Sequence, residues 1–186
     1  VPSAWMSMAI YFLMAVFGLC ALVWHVRAAE ILAMASAPIG AAFTLLALVT
    51  GSLWGRPTWG TYWVWDARLT SELVLLFLYL GVMGLYSAFD EPRKGARAAA
   101  LLSLVGLVNL PIIHYSVVWW NTLHQPGSVG VTGSSIHPSM LWPLLIMALA
   151  TKFYYGANLL ARTRVRLLEE NHNRRWVRNW IMGEAN

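Results

Sequence analysis

The chain contains five long apolar segments, and these constrain its fold more than any other feature. Each is rich in Leu, Ala, Val, Met and aromatic residues, and each can cross the roughly 30 Å hydrocarbon core of a bilayer as an α-helix. Backbone hydrogen bonds must be satisfied within lipid, so these segments are predicted to be helical. The predicted spans are Ala4–Trp24, Ala37–Trp54, Leu69–Phe89, Ala98–Trp120 and Pro138–Leu160.

Charged residues are too scarce for a soluble domain. They make up 11% of the chain, whereas about a quarter of a soluble domain is charged. We therefore predict an all-α polytopic membrane protein with about five transmembrane helices.

The positive charges lie mainly on one side of the predicted membrane. That side would carry Arg27, residues 93–97 and residues 162–178, whereas the opposite side would carry Arg56 and Arg68. The arginine-rich side of a membrane protein is usually cytoplasmic. The positive net charge therefore indicates orientation in a lipid bilayer, and no nucleic-acid partner is expected.

This orientation predicts the organisation of the chain. Residues 1–161 form the transmembrane helical domain, and residues 162–186 form a basic cytoplasmic tail. Two outer loops would face the periplasm of a bacterium: a tryptophan-rich loop at 54–69 and a histidine loop at 120–138.

The first outer loop concentrates aromatic residues within the sequence WGRPTWGTYWVWDARLTSE. Its four tryptophans are Trp54, Trp59, Trp63 and Trp65. One interpretation is an aromatic belt at the membrane interface. We favour a binding platform, because a wide planar apolar ligand can lie on indole faces. Arg56 or Arg68 could pair with an anionic edge of such a ligand.

Two acidic residues lie close to this loop. Asp66 precedes the third span and is expected to cap its free N–H groups, with ligand contact as a secondary possibility. Glu72 lies further into the same helix and is expected to benefit from the helix dipole.

The second outer loop offers a candidate metal ligand. His124 follows the interfacial pair Trp119 and Trp120 in a polar segment, and neutral imidazole is a common metal ligand. A solvated loop histidine is the alternative. The tryptophan-rich loop on the same face favours the ligand.

Other histidines are weaker candidates. His114 lies within the fourth span near Asn109 and Pro111, where structural hydrogen bonding is favoured over a ligand role. His137 precedes Pro138 at a predicted helix start, which favours a positional role.

The sequence lacks the motifs of several other kinds of functional site. The chain has one cysteine, Cys20, so neither an internal disulfide nor a Cys-x-x-Cys-His haem attachment motif is possible. It has no glycine-rich phosphate loop, so no ATPase site is expected. The sequence favours binding and transfer over bond-making catalysis.

Three segments carry a resemblance to a known family. They are WGTYWVWDARLTSELVLLFLYLG, VNLPIIHYSVVWWNTLHQ and APIGAAFTLLALVTGSLWG. The first resembles the WWD domain of haem-handling membrane proteins used in cytochrome c maturation, and the second resembles the CcmC family in particular. The resemblance extends over essentially the whole chain.

The resemblance implies a haem site at the periplasmic face. It implies that His124 ligates the iron of haem b and that Arg68 and Arg56 contact the propionates. The tryptophans implied to support the macrocycle are Trp59, Trp63, Trp65, Trp119 and Trp120. Asp66 and His114 are secondary candidates.

The family also implies a location and partners. Its members lie in the bacterial inner membrane and work with the ATPase and membrane subunits of an ABC transporter and a small single-span membrane subunit. They present haem to a periplasmic haem chaperone. The complete family protein has six spans, and its first histidine ligand directly precedes a Val-Pro dipeptide. The chain begins at Val1-Pro2, so this segment alone is expected to bind haem weakly.

Two other functions remain open from the residues alone. A channel or solute permease with an aromatic outer vestibule would need a polar stripe along several spans. The candidates for such a stripe are few: His114, Asn109, Thr44, Thr50 and some serines. A structural subunit anchored by its tryptophans is the second alternative.

Overall fold

The computed structural model describes residues 1–120, 124, 129–130, 133–134 and 136–171. Within these residues the protein consists of α-helices and one pair of very short antiparallel strands. The helices are α1 (Pro2–Trp24), α2 (Arg27–Trp59), α3 (Ala67–Ser87), α4 (Pro92–Val105), α5 (Asn109–Trp119) and α6 (Pro138–Glu170). The strands are β1 (Val129–Gly130) and β2 (Gly133–Ser134).

Among the described residues, five helical segments are long and apolar enough to cross a membrane. Four are α1, α2, α3 and α6, and the fifth is Pro92–Trp119. This fifth span joins α4 to α5 through a 3₁₀ turn at Gly106–Val108. Pro111 lies in the first turn of α5, where the missing N–H of proline is tolerated. The predicted all-α polytopic fold is confirmed.

Both predicted ends of the second span were wrong. Helix α2 begins at Arg27 instead of Ala37 and continues to Trp59 instead of Trp54, so part of the expected outer loop is helical. Pro57 lies in the last turn of α2. The helix ends at Gly60, whose φ of 79° suits glycine and whose N–H donates to the Arg56 carbonyl at 2.9 Å.

The last helix extends beyond the predicted start of the basic tail at residue 162. Helix α6 continues through residues 162–170, so the first part of the predicted tail extends the last span. Residues 172–186 of that tail lie outside the described residues.

Two buried tyrosines form the centre of the helix packing. The rings of Tyr11 on α1 and Tyr79 on α3 meet edge to face, with centroids 5.0 Å apart. The Tyr79 hydroxyl donates to the Ser7 carbonyl at 2.7 Å. Gly40 on α2 faces the Tyr79 ring, and Gly106 faces Tyr11. These two glycines let the backbone of neighbouring segments approach large aromatic side chains.

Polar side chains also join the helices within the membrane region. The Ser7 hydroxyl lies 2.7 Å from a Glu72 carboxyl oxygen, and the Asn109 amide donates to the Ser71 carbonyl at 2.9 Å. These hydrogen bonds connect α1 and α5 to the first half of α3. Buried polar groups in lipid require such partners.

Helix α6 packs more loosely than the others. Its one buried side chain is Tyr155, whose hydroxyl lies 3.0 Å from that of Ser36 on α2. Glu170 forms an ion pair of 2.7 Å with Arg27, and the Arg166 guanidinium lies over the Tyr86 ring of α3. The start of α2 and the ends of α3 and α6 therefore lie at the same end of the helix bundle.

Replacing Gly40 by Ala should lower the free energy of unfolding by about 1–3 kcal/mol, because overpacking a well-packed core has this cost. The added methyl group would meet the Tyr79 ring. Unfolding in mixed detergent micelles, followed by circular dichroism, measures the change. Gly51→Ala is the matched control on the same helix, since its Cβ would meet nothing within 4 Å. Equal stability of the two variants would contradict the described packing.

Candidate functional site

The candidate site lies where α2 ends and α3 begins. Asp66 is the N-cap of α3, with extended backbone angles, and its Oδ1 accepts a hydrogen bond from the Leu69 N–H at 2.8 Å. The capping role predicted for Asp66 is confirmed.

The second carboxylate oxygen of Asp66 contacts His124, the candidate metal ligand predicted from the sequence. Asp66 Oδ2 lies 2.7 Å from His124 Nδ1. The Asp66 side chain is only 6% exposed and that of His124 is 19% exposed, so this contact is largely shielded from water. Charge-assisted hydrogen bonds of this kind are stronger than neutral ones. One carboxylate thus fixes both the start of α3 and the position of the imidazole.

The Asp66 contact determines how His124 could bind a metal. Because Nδ1 faces the carboxylate, Nε2 is the nitrogen that would bind a metal ion. Histidine ligands of metals commonly direct their other ring nitrogen to a carboxylate, which orients the ring and raises its basicity. The sequence predicted separate roles for Asp66 and His124 and gave no sign of their contact.

The tryptophans at the end of α2 contact the same histidine. The ring centroids of Trp59 and His124 are 4.7 Å apart in an edge-to-face arrangement, and Trp54 meets Trp59 at 5.5 Å. Trp59 therefore forms one wall beside the imidazole.

Trp63 and Trp65 form a second edge-to-face pair, 5.5 Å between centroids. Trp65 is 77% exposed, whereas the Trp63 indole nitrogen is buried. The tryptophans therefore form two angled pairs and not one flat surface.

The two candidate arginines differ in their surroundings. Arg56 donates to the Tyr62 hydroxyl at 2.8 Å, and its guanidinium lies 4.7 Å from the centre of the Tyr62 ring. Arg68 is half-buried in the first turn of α3, one turn before Glu72. Glu72 itself is buried against α1 and so lies inside the helix bundle.

The interfacial pair on α5 belongs to a separate aromatic group. Trp119 stacks on Tyr115 with centroids 5.4 Å apart, and Trp120 meets Trp119 edge to face at 5.8 Å. Within the part of the chain that the structure describes, no ring contact joins this group to Trp59 or Trp63.

The remaining histidines have other surroundings. His114 is exposed on α5 and its ring meets Tyr115. The Asn109 amide, one turn or so earlier, donates a hydrogen bond to the Ser71 carbonyl. His137 is the N-cap of α6 and accepts from the Ser139 N–H, which confirms its positional role.

The arrangement suits one kind of metal chemistry. Among the described residues, no group of three or more His, Cys, Asp or Glu side chains could hold a bare metal ion. A single oriented histidine can instead supply an axial ligand to a metal whose other ligands belong to a macrocycle.

Comparison with known families identifies the family of the chain. The family described as Heme exporter protein C, or CcmC, matches residues 1–178. The chain belongs to this family.

Curated relatives agree with the CcmC assignment. Heme exporter protein C of Bradyrhizobium diazoefficiens is 55% identical over 186 residues, which is 100% of this chain and 69% of that protein. Heme exporter protein C of Escherichia coli K12 is 53% identical over 182 residues, 98% of this chain and 74% of that protein. A putative cytochrome c biosynthesis ccmC-like mitochondrial protein of Marchantia polymorpha is 46% identical over 164 residues, covering 88% of this chain and 69% of that protein.

Replacing Asp66 by Ala in this CcmC-family chain should cost about 0.5–2 kcal/mol of unfolding free energy through loss of the helix cap. Asp66→Asn should retain most of that stability, because asparagine is also a good N-cap. Detergent-induced unfolding measures both changes. Asp90→Ala, an exposed change at the opposite end of α3, is the control and should stay within about 0.5 kcal/mol of wild type. An unchanged stability for Asp66→Ala would contradict the capping role.

Proposed function

We propose that this chain binds haem b at the periplasmic face of the bacterial inner membrane and presents it to a periplasmic haem chaperone during c-type cytochrome biogenesis. The observation that carries the proposal is the shielded Asp66–His124 pair beside Trp59. The names of the relatives, heme exporter protein C, support the same function.

His124 is the proposed iron ligand. Its side chain is partly exposed, so a ligand can reach it from outside the membrane. The Asp66 carboxylate orients the ring and increases electron donation from Nε2 to the iron. Such support requires a carboxylate beside the histidine, and Asp66 at the start of α3 has this position.

The aromatic residues are the proposed support for the macrocycle. Trp59 borders the imidazole, and the exposed Trp65 offers an indole surface within the same loop region. Trp63 packs edge to face against Trp65 and also contacts the apolar surface between α2 and α3. Trp119 and Trp120, exposed at the end of α5, would contribute from another side.

The propionates of haem are the proposed partners of Arg68 and Arg56. Arg56 uses one of its N–H groups on the Tyr62 hydroxyl, and a guanidinium has five such donors. Its remaining donors can bind a carboxylate in the bidentate geometry that arginine favours. Tyr62 would hold the guanidinium at the edge of the loop.

Presentation of haem requires other proteins. We assign the chain to a haem export and delivery complex with the ATPase and membrane subunits of an ABC transporter, a small single-span membrane subunit and the periplasmic chaperone. In this complex the chain would bind and transfer haem, while ATP hydrolysis would belong to the transporter. The export named in the relatives' descriptions supports this assignment.

A channel or permease receives less support from the packing. Several buried polar side chains in the spans are hydrogen bonded between helices, as in Ser7 with Glu72, Asn109 with Ser71 and Ser36 with Tyr155. Groups paired in this way stabilise helix contacts and do not line a water-filled path.

Haem titration of the purified chain tests the proposed site. Wild type should give a Soret band shifted from that of free haem, and His124→Ala should lose that shift. Asp66→Asn keeps a capping residue but removes the carboxylate, and should weaken haem affinity by about 10–100-fold, as with other groups that support metal ligands.

His114→Ala is the matched control for the titration, because His114 is exposed on α5. Its spectrum should equal that of wild type. An unchanged spectrum for His124→Ala would refute the proposed ligand. A loss confined to His114→Ala would assign the iron to His114 instead.

The proposed orientation places Gly130 in the periplasm and Lys94 in the cytoplasm. It rests on the arginine-rich end where Arg27, Arg166 and the α3–α4 turn lie together. Cysteines introduced at positions 94 and 130, with Cys20 replaced by Ala, can be labelled in intact cells with an impermeant maleimide. Position 130 should react and position 94 should react only after lysis. Labelling of position 94 from outside would overturn the orientation.

A further inference from the structure

The carboxyl group of Glu72 lies inside the helix bundle, and the proposed haem site does not use it. Only 8% of this residue is exposed. Ionisable side chains are costly within a membrane protein, and those that are kept there commonly have a function. The Glu72 Oε1 atom lies 2.7 Å from the Ser7 hydroxyl of α1. The role of this buried carboxyl group therefore depends on what Ser7 and the neighbouring charges do.

Ser7 is held against α3 by a second hydrogen bond. Its carbonyl oxygen accepts from the Tyr79 hydroxyl at 2.7 Å, and its own side chain is fully buried. Tyr79 follows Glu72 by seven positions, which is about two turns along the same face of α3. Tyr79 therefore fixes the position of Ser7 independently of Glu72, and Ser7 in turn fixes the Glu72 carboxyl group.

The single proton of the Ser7 hydroxyl has two acceptors within reach. These are Glu72 Oε1 at 2.7 Å and the Ala4 carbonyl at 2.8 Å. When the proton points to Glu72, the carboxylate accepts it. When it points to Ala4, the Glu72 carboxyl group must carry its own proton and donate it to the Ser7 oxygen. In both arrangements the carboxyl group of Glu72 is hydrogen bonded to α1.

Arg68 lies one helical turn before Glu72, a spacing at which arginine and glutamate can form an ion pair. Among the described residues, however, no ion pair or hydrogen bond involves the Arg68 side chain. The residue is half-buried, and a partly desolvated guanidinium with five donors favours an anionic partner. The first turn of a helix also favours negative charge. Arg68 is therefore available to an anionic ligand.

Asp66 is the other carboxylate close to Arg68 along the chain. Its Oδ1 accepts from the Leu69 N–H, and its Oδ2 contacts His124. Both acidic neighbours of Arg68 thus have partners elsewhere. For Asp66 the partners belong to the helix cap and the candidate iron ligand, whereas for Glu72 the partner is Ser7 on α1.

We propose that Ser7 and Glu72 are positioning residues that keep Arg68 available to a carboxylate of the bound porphyrin. The Ser7 hydroxyl holds the Glu72 carboxyl group on α1, so this group does not neutralise the guanidinium one turn away. The inference rests on the proposed haem function, in which Arg68 contacts a propionate. It adds two buried residues that determine how well the site distinguishes a porphyrin with carboxylates from one without them.

A purely structural bond between Ser7 and Glu72 is the alternative, because polar pairs between helices also stabilise packing in lipid. The two roles differ in one measurable respect. A structural role affects every ligand of the site equally, whereas the positioning role affects only ligands that carry carboxylates. Haem b and its dimethyl ester share the iron and the macrocycle and differ in their carboxylates.

Titration of the chain with both ligands tests the inference. In Ser7→Ala the Glu72 carboxylate loses its donor and turns to Arg68. Haem affinity should fall about tenfold, the effect of losing one hydrogen bond to a charged group. Affinity for the ester should stay at the wild-type value. Adding Glu72→Gln to Ser7→Ala should restore haem affinity, because a neutral amide does not pair with the guanidinium. Equal losses for haem and ester, or no rescue, would overturn the inference.

Ser103→Ala is the matched control. Ser103 is 1% exposed, and its hydroxyl donates to the Ala100 carbonyl of its own helix at 2.7 Å. This variant should bind both ligands as wild type does. Ser7→Cys provides a second test if Ser7→Ala fails to insert. Its thiol is a weak donor, so a smaller loss should appear for haem alone. Wild-type haem binding by the Ser7 variants would refute the positioning role.

Arg68→Gln separates this inference from the proposed propionate contact. It should weaken haem binding and leave ester binding unchanged. In that background Ser7→Ala should have no further effect, because both changes act through one guanidinium. Wild-type haem affinity for Arg68→Gln would refute the propionate contact and this inference with it. A loss with Arg68→Gln and an additive loss with Ser7→Ala would refute this inference alone and leave the propionate contact in place.

Discussion

The Asp66 carboxylate is the interaction on which the rest of the site depends. One oxygen caps α3 through the Leu69 N–H, and the other contacts His124 Nδ1. A helix that begins within a membrane interface leaves N–H groups unsatisfied, so a cap is needed there regardless of function. The same carboxylate then joins the membrane-embedded helices to the outer histidine. The position of His124 is therefore coupled to the start of α3.

The helix packing makes α3 a suitable support for that carboxylate. Tyr79 donates to the Ser7 carbonyl of α1 and lies against Gly40 of α2, while Asn109 of α5 donates to the Ser71 carbonyl. Three neighbouring helices thus hold α3 between Ser71 and Tyr79. Small residues that admit close packing and polar side chains that bond across helices are the usual means of association in lipid, where the hydrophobic effect between helices is weak.

Much of the fold could be predicted from the sequence, because lipid leaves the backbone little choice. The five apolar runs fixed the number of spans, and Asp66 before an apolar run predicted its cap. The two ends of α2 were predicted less accurately than the number of spans. Pro57 indicates a break, yet a proline near the last turn costs α2 little, and the helix ends at the positive φ of Gly60.

The site was predictable only in part. The residue types of the site could be predicted, because so many tryptophans together with a histidine are unusual on one face of a membrane protein. The pairing of Asp66 with His124 could not be predicted, because the two residues are 58 positions apart and no sequence pattern links them. Trp63 and Trp65 lie in the short segment between α2 and α3, where no periodic pattern predicts the direction of a side chain. In the structure, the tryptophans of the predicted platform form two angled pairs.

The uneven packing of the bundle bears on the proposed transfer of haem. Helices α1, α2 and α3 share the buried tyrosine core, whereas α6 buries only Tyr155 among the described residues. His124 belongs in sequence to the segment between α5 and α6, but its described contacts are with Asp66 and Trp59 at the ends of α3 and α2. The contacts that the well-packed helices make with the imidazole include the hydrogen bond from Asp66 and the ring contact with Trp59. An imidazole whose Nδ1 is held by a carboxylate has a fixed orientation, which suits a residue that must present its other ring nitrogen to a metal.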